Sequence, residues 1–131
     1  MLNYKQNITK LPVYNDGSFN LYEIKQTTDD YPIEYIKNVA GSPIWYEELS
    51  ISDRLRFESE ERNVQITYKI RIPQNKQITS FHVCKIENTY HKVYNAYHFT
   101  DKDGFRKTDL TLVRYPRVKL EGEIDEQRRS S

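Results

Sequence analysis

The chain has 131 residues, with 20 Lys and Arg set against 19 Asp and Glu. That length suits one domain able to bury a core without disulfides or metals. The single cysteine, Cys84, excludes an internal disulfide and fits a reducing compartment. The near-zero net charge argues against a protein whose main work is gripping a polyanion.

The mean hydropathy of −0.87 is low for a globular domain. Eleven Tyr and five Phe offset it with rings that bury one face and keep a wet edge, which suits thin barrels and protein interfaces. No apolar stretch approaches the ~18 residues of a membrane helix, so no membrane contact is expected. The opening MLNYKQNITK has no apolar centre, so no secretory signal is expected either.

Residues 1–12 are polar, end at Pro12 and read as an extended N-terminal arm. Asn15-Asp16-Gly17 is a turn signal that would close a hairpin over Val13–Gly17 with whatever precedes it. From Ser18 to Gln26 the chain alternates. Phe19, Leu21 and Glu23 fall on one side, and Asn20, Tyr22 and Ile24 on the other, as in a strand. After a loop at Thr27–Pro32, residues Ile33–Val39 suggest a short strand with Ile33, Tyr35, Lys37 and Val39 on one face. Gly41-Ser42-Pro43 ends it.

Ile44–Leu49 reads as a strand led by Trp45. The polar segment that follows predicts one or two helical turns up to about Glu61, or an ordered loop. Ser50 and Ser52 are candidate caps, and Ser50 with Asp53 has the spacing of a capping box. Arg54–Glu58 and Glu58–Arg62 are spaced for i,i+4 pairs, Ile51 and Leu55 share a thin apolar face, and Asn63 is a stop.

Val64–Ile72 is the plainest strand. Val64, Ile66, Tyr68, Ile70 and Ile72 face one way; Gln65, Thr67, Lys69 and Arg71 face the other. The loop PQNKQIT follows. Then Phe81–Ile86 and Thr89–Tyr97 flank Glu87-Asn88, a two-residue spacing suited to a tight hairpin. Asp101-Lys102-Asp103-Gly104 turns into a last strand, Phe105–Tyr115. Residues 117–131 are charged, mixed in sign and poor in bulky side chains, and are expected to be mobile until a partner orders them.

Many short strands with turns between them predict a mainly β chain: a small closed or nearly closed β-barrel over 13–116, with one long loop or short helix excursion at 49–63 and extended terminal arms. Trp45, Ile66, Tyr68, Ile70, Ile72, Val83 and Tyr94 are the positions expected to define that fold.

Little in the chain predicts catalysis. His82, His91 and His98 lack the spacing of a metal pair, and Cys84 with His82 on one strand reads more readily as packing than as a dyad. The carboxylates lie scattered in turns and in the polar segment, where nothing in the sequence gathers them around an ion. Neither a phosphate-cradling glycine loop nor a nucleophile elbow is present, so no enzyme activity and no cofactor are expected. The basic stretch Arg71, Gln74, Asn75 and Lys76 is a candidate partner-contact loop, or simply a solvated face. Tyr90, Tyr94 and Tyr97 offer an alternative: a stacking platform on a nucleic-acid-binding barrel.

IWYEELSIS, then RLRFESEERNVQITYKIRIP, then FHVCKIENTYHKVYNAYHF together resemble the head–tail joining (head-closure, or stopper) proteins of long-tailed phages. That family has an acidic strand led by Trp or Tyr, a polar segment, an alternating strand ending Arg-x-Pro, an Ile-Thr loop and a hairpin leading to Tyr-x-Val. Here these fall on Trp45–Leu49, Ser52–Asn63, Val64–Pro73, Ile78–Thr79 and Val83–Tyr94. FTDKDGFRKTDLTLVRY is similar to the final strands of the family's members in phages of Gram-positive hosts. About two-thirds of the chain is covered; the first 40 residues and the tail are not.

The resemblance implies a virion protein of the phage neck, assembled in the host cytoplasm. It would form a sixfold or twelvefold ring between a portal-associated adaptor and a tail-completion or terminator protein, and would retain the packaged double-stranded DNA. A neighbouring neck or tail-completion ring is the alternative within that class. Ser50, Ser52, Arg54, Arg56, Glu58, Glu60 and Arg62 are the candidate channel loop or intersubunit arm.

Overall fold

The alternating run at 66–73 forms part of the wall of a closed barrel. In the computed structural model, which describes residues 11–116 and 118–124, seven strands follow one another. They are β1 (Gly17–Gln26), β2 (Glu34–Asn38), β3 (Ile44–Leu49), β4 (Ile66–Pro73), β5 (His82–Ile86), β6 (Thr89–Thr100) and β7 (Arg106–Arg114), with helix α1 (Asp53–Glu61) between β3 and β4. Neighbouring strands run antiparallel in the order β1-β3-β4-β7-β6-β5, and β5 returns to β1 to close a six-stranded barrel with β2 outside it. Closure removes the exposed edges that an open sheet would present.

One strand makes this possible by changing partners along its length. Gly17–Phe19 of β1 pair with β3, Asn20–Glu23 pair with β5 on the opposite edge, and Tyr22–Gln26 pair with β2. Phe19, Tyr46, Ile70, Ile72, Ile78, Cys84, Ile86, Val93, Leu110 and Leu112 fill the interior. A second cluster sits outside the barrel wall, where Ile36, Val83 and Tyr115 are buried with Tyr22, Ile24, Tyr90, Val118 and Leu120 against them.

Of the positions expected to define the fold, Ile70, Ile72 and Val83 are buried, Tyr68 packs against the core, and Ile66 is half-buried where the β4–β7 register shifts. Two expectations are corrected. Trp45 is 57 % exposed, and its neighbour Tyr46 is the core residue of β3. Tyr46 lies opposite Gly17, where any Cβ would come within 2.5 Å of the phenol oxygen, so glycine leaves the space that the inward ring occupies. Tyr94 is also exposed, and Val93 takes the core position. A register shift between Val93 and Asn95 breaks the parity of β6 there.

The helix also departs from expectation at its start. Ser52, not Ser50, is the N-cap, and its hydroxyl accepts from the Leu55 N–H at 3.1 Å. Asn63 ends it as expected. It is left-handed (φ 58°), its N–H reaches the Glu60 carbonyl, and the Val64 N–H reaches that of Ser59, which together satisfy the last turn. Arg54 and Glu58 pair at 3.1 Å, whereas Arg62 stands beside the Tyr94 phenol.

The remaining turns follow their chemistry. Both Glu87 and Asn88 are left-handed (φ 48° and 66°), as a two-residue hairpin of the twist-matching type requires. Asp101 accepts from the Asp103 and Phe105 N–H groups, which shapes the turn that Gly104 completes at φ 87°. Asp16 does not simply turn. Its N–H donates to the Tyr46 carbonyl, its carboxylate accepts from the Glu48 N–H, and Gly17 opens β1; residues 1–10 of the expected arm lie outside the described residues. In β2 the buried side chain is Ile36, so the face of Ile33, Tyr35, Lys37 and Val39 is the outer one.

The expectation for the charged end is revised most. Residues 118–124 dock on their own barrel: the Ile36 N–H donates to the Lys119 carbonyl at 2.8 Å, Ile36 and Leu120 form a parallel bridge, and Ile124 is buried. Val118 and Leu120 close over the second cluster, and the Tyr115 hydroxyl donates to Glu34 at 2.7 Å. Apolar burial of these few side chains against a seat built by other strands offsets the ordering cost. Residues 125–131 lie outside the described residues.

Candidate functional site

The strand registers lay two rows of side chains across the outer wall of β3, β4, β7 and β6. In one, Glu47 is level with Arg71, Asp109 and Tyr97; in the next, Pro73 is level with Lys107 and Phe99. Arg71 Nε and Nη2 donate to the two Asp109 carboxylate oxygens at 2.7 and 3.0 Å, and the guanidinium lies 5.1 Å from the centre of the Phe99 ring. Phe99 and Tyr97 stack at 5.3 Å, and Lys107 reaches Asp101 at 2.8 Å. Tyr14 crosses this wall, and burial raises its phenol pKa more than Lys107 lowers it.

These contacts decide what the candidate loop can offer. Arg71 is committed to Asp109, whose hydrogen bonds stabilise its charged form. Gln74 donates to the Phe99 and Lys107 carbonyls, and the Asn75 N–H donates to the Thr108 hydroxyl. Asn75 also accepts from the Gln77 N–H and so shapes its own turn. Lys76 alone of the four candidates stands exposed with no hydrogen bond or ion pair to the described residues. Arg71, Gln74 and Asn75 therefore hold the loop in shape.

The excursion residues are placed differently. Ser50, Arg54, Arg56, Glu58, Glu60 and Arg62 all lie exposed on or beside α1, at the end of the barrel where β3 passes to β4. Ser52 is spent on the cap. Sequence reasoning passed over Phe57 and Phe81, which are 63 % and 67 % exposed. The signal in the helix was a single phenylalanine in the otherwise polar DRLRFESEE. The three tyrosines do not form one platform. Tyr90 packs edge-on to Tyr22 at 5.6 Å in the second cluster, Tyr94 stands by Arg62, and Tyr97 stacks on Phe99.

Cys84 and His82 do not form a reactive pair. Cys84 is fully buried in the barrel core, where burial pushes its thiol pKa far up and keeps it protonated. His82 Nδ1 instead accepts from the Thr79 N–H at 3.1 Å. His91 is the buried histidine, with Nδ1 2.8 Å from the Thr67 hydroxyl and Nε2 2.7 Å from that of Thr89. The Thr89 hydroxyl donates to the Ile86 carbonyl at 2.6 Å, so Nε2 must be the donor to it. The Thr67 hydroxyl is closer to Nδ1 than to its other acceptor, the Leu112 carbonyl at 3.3 Å, so it can donate to Nδ1 and the neutral ring satisfies both sides. Burial lowers the pKa of His91, in agreement with that arrangement.

Among the described residues no three His, Cys, Asp or Glu side chains are grouped to hold a metal ion. Among them, too, no helix is long and apolar enough to cross a membrane. No protein-family model matches the chain, and no curated protein matches it in sequence.

Proposed function

We propose that this chain is a structural protein of a phage neck: a head-closure ring subunit that joins a portal-associated adaptor to the tail and retains packaged DNA. The observation that carries the reading is the excursion. A closed six-stranded barrel bears one exposed, highly charged helix between β3 and β4, within the segment whose sequence resembles the head–tail joining family. A ring subunit needs a rigid body and a projecting element that reaches a neighbour or the channel, and the barrel and α1 supply these two parts.

The proposed role is non-catalytic, in keeping with a buried, protonated Cys84 and the conversion of Arg71 and Asp109 to a structural pair. Near-neutral charge suits a channel through which DNA must slide. The test is electron microscopy of particles made when the gene is silenced. Heads that fill, leak DNA and lack tails are expected; normal tailed particles would overturn the proposal.

One observation favours a second reading. Exposed Tyr97, stacked on half-buried Phe99 beside Arg71, is a surface on which a base could lie. A salt-dependent gel shift with single-stranded DNA, abolished by Tyr97→Ala, would support a nucleic-acid-binding barrel. No shift up to roughly tens of micromolar protein would remove it.

A further inference from the structure

We propose that two copies of this chain associate head to tail, with the Phe57 face of α1 seated in the groove between Ile24 and Phe81 of the next copy. The proposal deepens the ring reading above and rests on it for the biological setting, but the contact is argued from the surface itself.

Phe57 projects from a helix whose same face, one turn away in each direction, carries Asp53, Glu60 and Glu61. Glu60 and Glu61 stand in the last turn, where the helix dipole disfavours negative charge, and no basic residue shares that turn. Arg62 at the C-cap lies near Glu61 and Arg56 stands one turn before Glu60, yet both carboxylates are exposed and open to an external cation. Arg54 shares that face three residues before Phe57 but is bonded to Glu58 at 3.1 Å, so the face is an exposed aromatic ring flanked by three carboxylates and one paired cation.

The groove is its chemical complement. It has a volume of about 380 Å³ and is lined by Ile24, Lys25, Gln26, Glu34, Phe81 and Lys92. Ile24 and Phe81 give it an apolar floor and rim. Its one carboxylate, Glu34, is turned toward the Tyr115 hydroxyl. Lys25 is only loosely paired, 3.8 Å from Glu23, and Lys92 makes no ion pair among the described residues. Two ammonium groups therefore border an apolar slot, and rings with flanking carboxylates fit it.

The registers place the two surfaces apart. Leu49 and Ile66, which bracket α1, lie at the end of the barrel that also holds Gly17 and the Glu87-Asn88 hairpin; Ile24–Gln26 and the start of β5 lie toward the other end. A surface and its complement at separate places on one subunit make a heterologous contact when they engage different neighbours, and such a contact propagates as a ring or a filament.

The experiment uses the full chain. Phe57→Cys and Phe81→Cys proteins are mixed under mild oxidation, with sedimentation velocity run in parallel at low and high salt. The expected result is a Phe57→Cys to Phe81→Cys crosslinked dimer formed well above the yield of either variant alone, and association that weakens with salt. Lys25→Glu with Lys92→Glu should weaken association at least about tenfold, and adding Glu60→Lys with Glu61→Lys should restore most of it. No mixed crosslink, or a charge reversal that the compensating swap does not rescue, overturns the contact. Association without the mixed crosslink would show a different self-contact, and Phe57→Ser leaving assembly intact while Phe81→Ser abolishes it would show that another segment of the next copy fills the groove; both overturn it too. A confirmed contact in a protein whose silencing leaves normal tailed particles would keep the interface and remove the neck role.

Discussion

Replacing Arg71 by alanine removes two charge-assisted hydrogen bonds and a cation–π contact in one step. The Arg71 and Asp109 side chains are 28 % and 13 % exposed. That places the pair between surface ion pairs, worth about 0.2–1 kcal/mol, and buried ones, where losing a partner costs about 3–5 kcal/mol. Hydrogen bonds to charged groups contribute roughly 1.5–3 kcal/mol, and the Phe99 contact adds about 0.5–1 kcal/mol. Arg71→Ala should therefore lose about 2–3 kcal/mol, or roughly 6–15 °C in Tm for a domain of this size. A double-mutant cycle with Asp109→Ala in urea melts should give a coupling of about 1–2 kcal/mol. Lys76→Ala, on the same loop, should stay within about 0.5 kcal/mol. A coupling below about 0.3 kcal/mol would refute the reasoning and return Arg71 to the residues available for a partner.

Three further outcomes are expected. Cys84→Ser should cost about 1–3 kcal/mol by placing a hydroxyl in the apolar barrel core, and the native thiol should resist alkylation; rapid native labelling would contradict its burial. Burial lowers the pKa of both His82 and His91. Below pH 6.5 the unfolded chain therefore takes up protons that the fold resists, and stability should be full above that pH and fall as pH drops from 7.5 to 5.5. Equal urea midpoints at those two values would count against it. Ending the chain after Pro116 removes Val118 and Leu120 from the second cluster together with the buried Ile124, and should cost several kcal/mol at about 25 cal/mol per Å² of apolar surface. An unchanged melt would show that the docked segment contributes nothing.

Periodicity was most informative where one face of a strand is wet. Tyr68, Ile70 and Ile72 announce their inward face because Lys69 and Arg71 separate them. It failed where two aromatics adjoin: nothing local distinguishes Trp45 from Tyr46, since the choice is made by Gly17 on another strand. Tyr94 was misplaced for a related reason, because a register shift changes parity without a sequence signature. Ser50 and Ser52 are equally good caps by type, and helix geometry selects the second. The end segment was illegible because Val118 and Leu120 gain meaning only from a seat assembled by residues of β1, β2, β5 and β6. The exposed Phe57 was legible as a lone ring in a polar helix, but its complement joins residues near 24, 81 and 92 that only the closed barrel brings together.

The parallel bridge between Ile36 and Leu120 ties the second strand to a segment made after all seven. During synthesis, at about 5–20 residues per second, β2 emerges long before the residues that cover its outer edge. For several seconds the nascent chain holds an unsatisfied Ile36 N–H and an uncovered apolar seat, the features that invite strand addition from another chain. Translation order thus gives this protein a window of vulnerability that the finished fold conceals, one that a pause before residue 118 would lengthen.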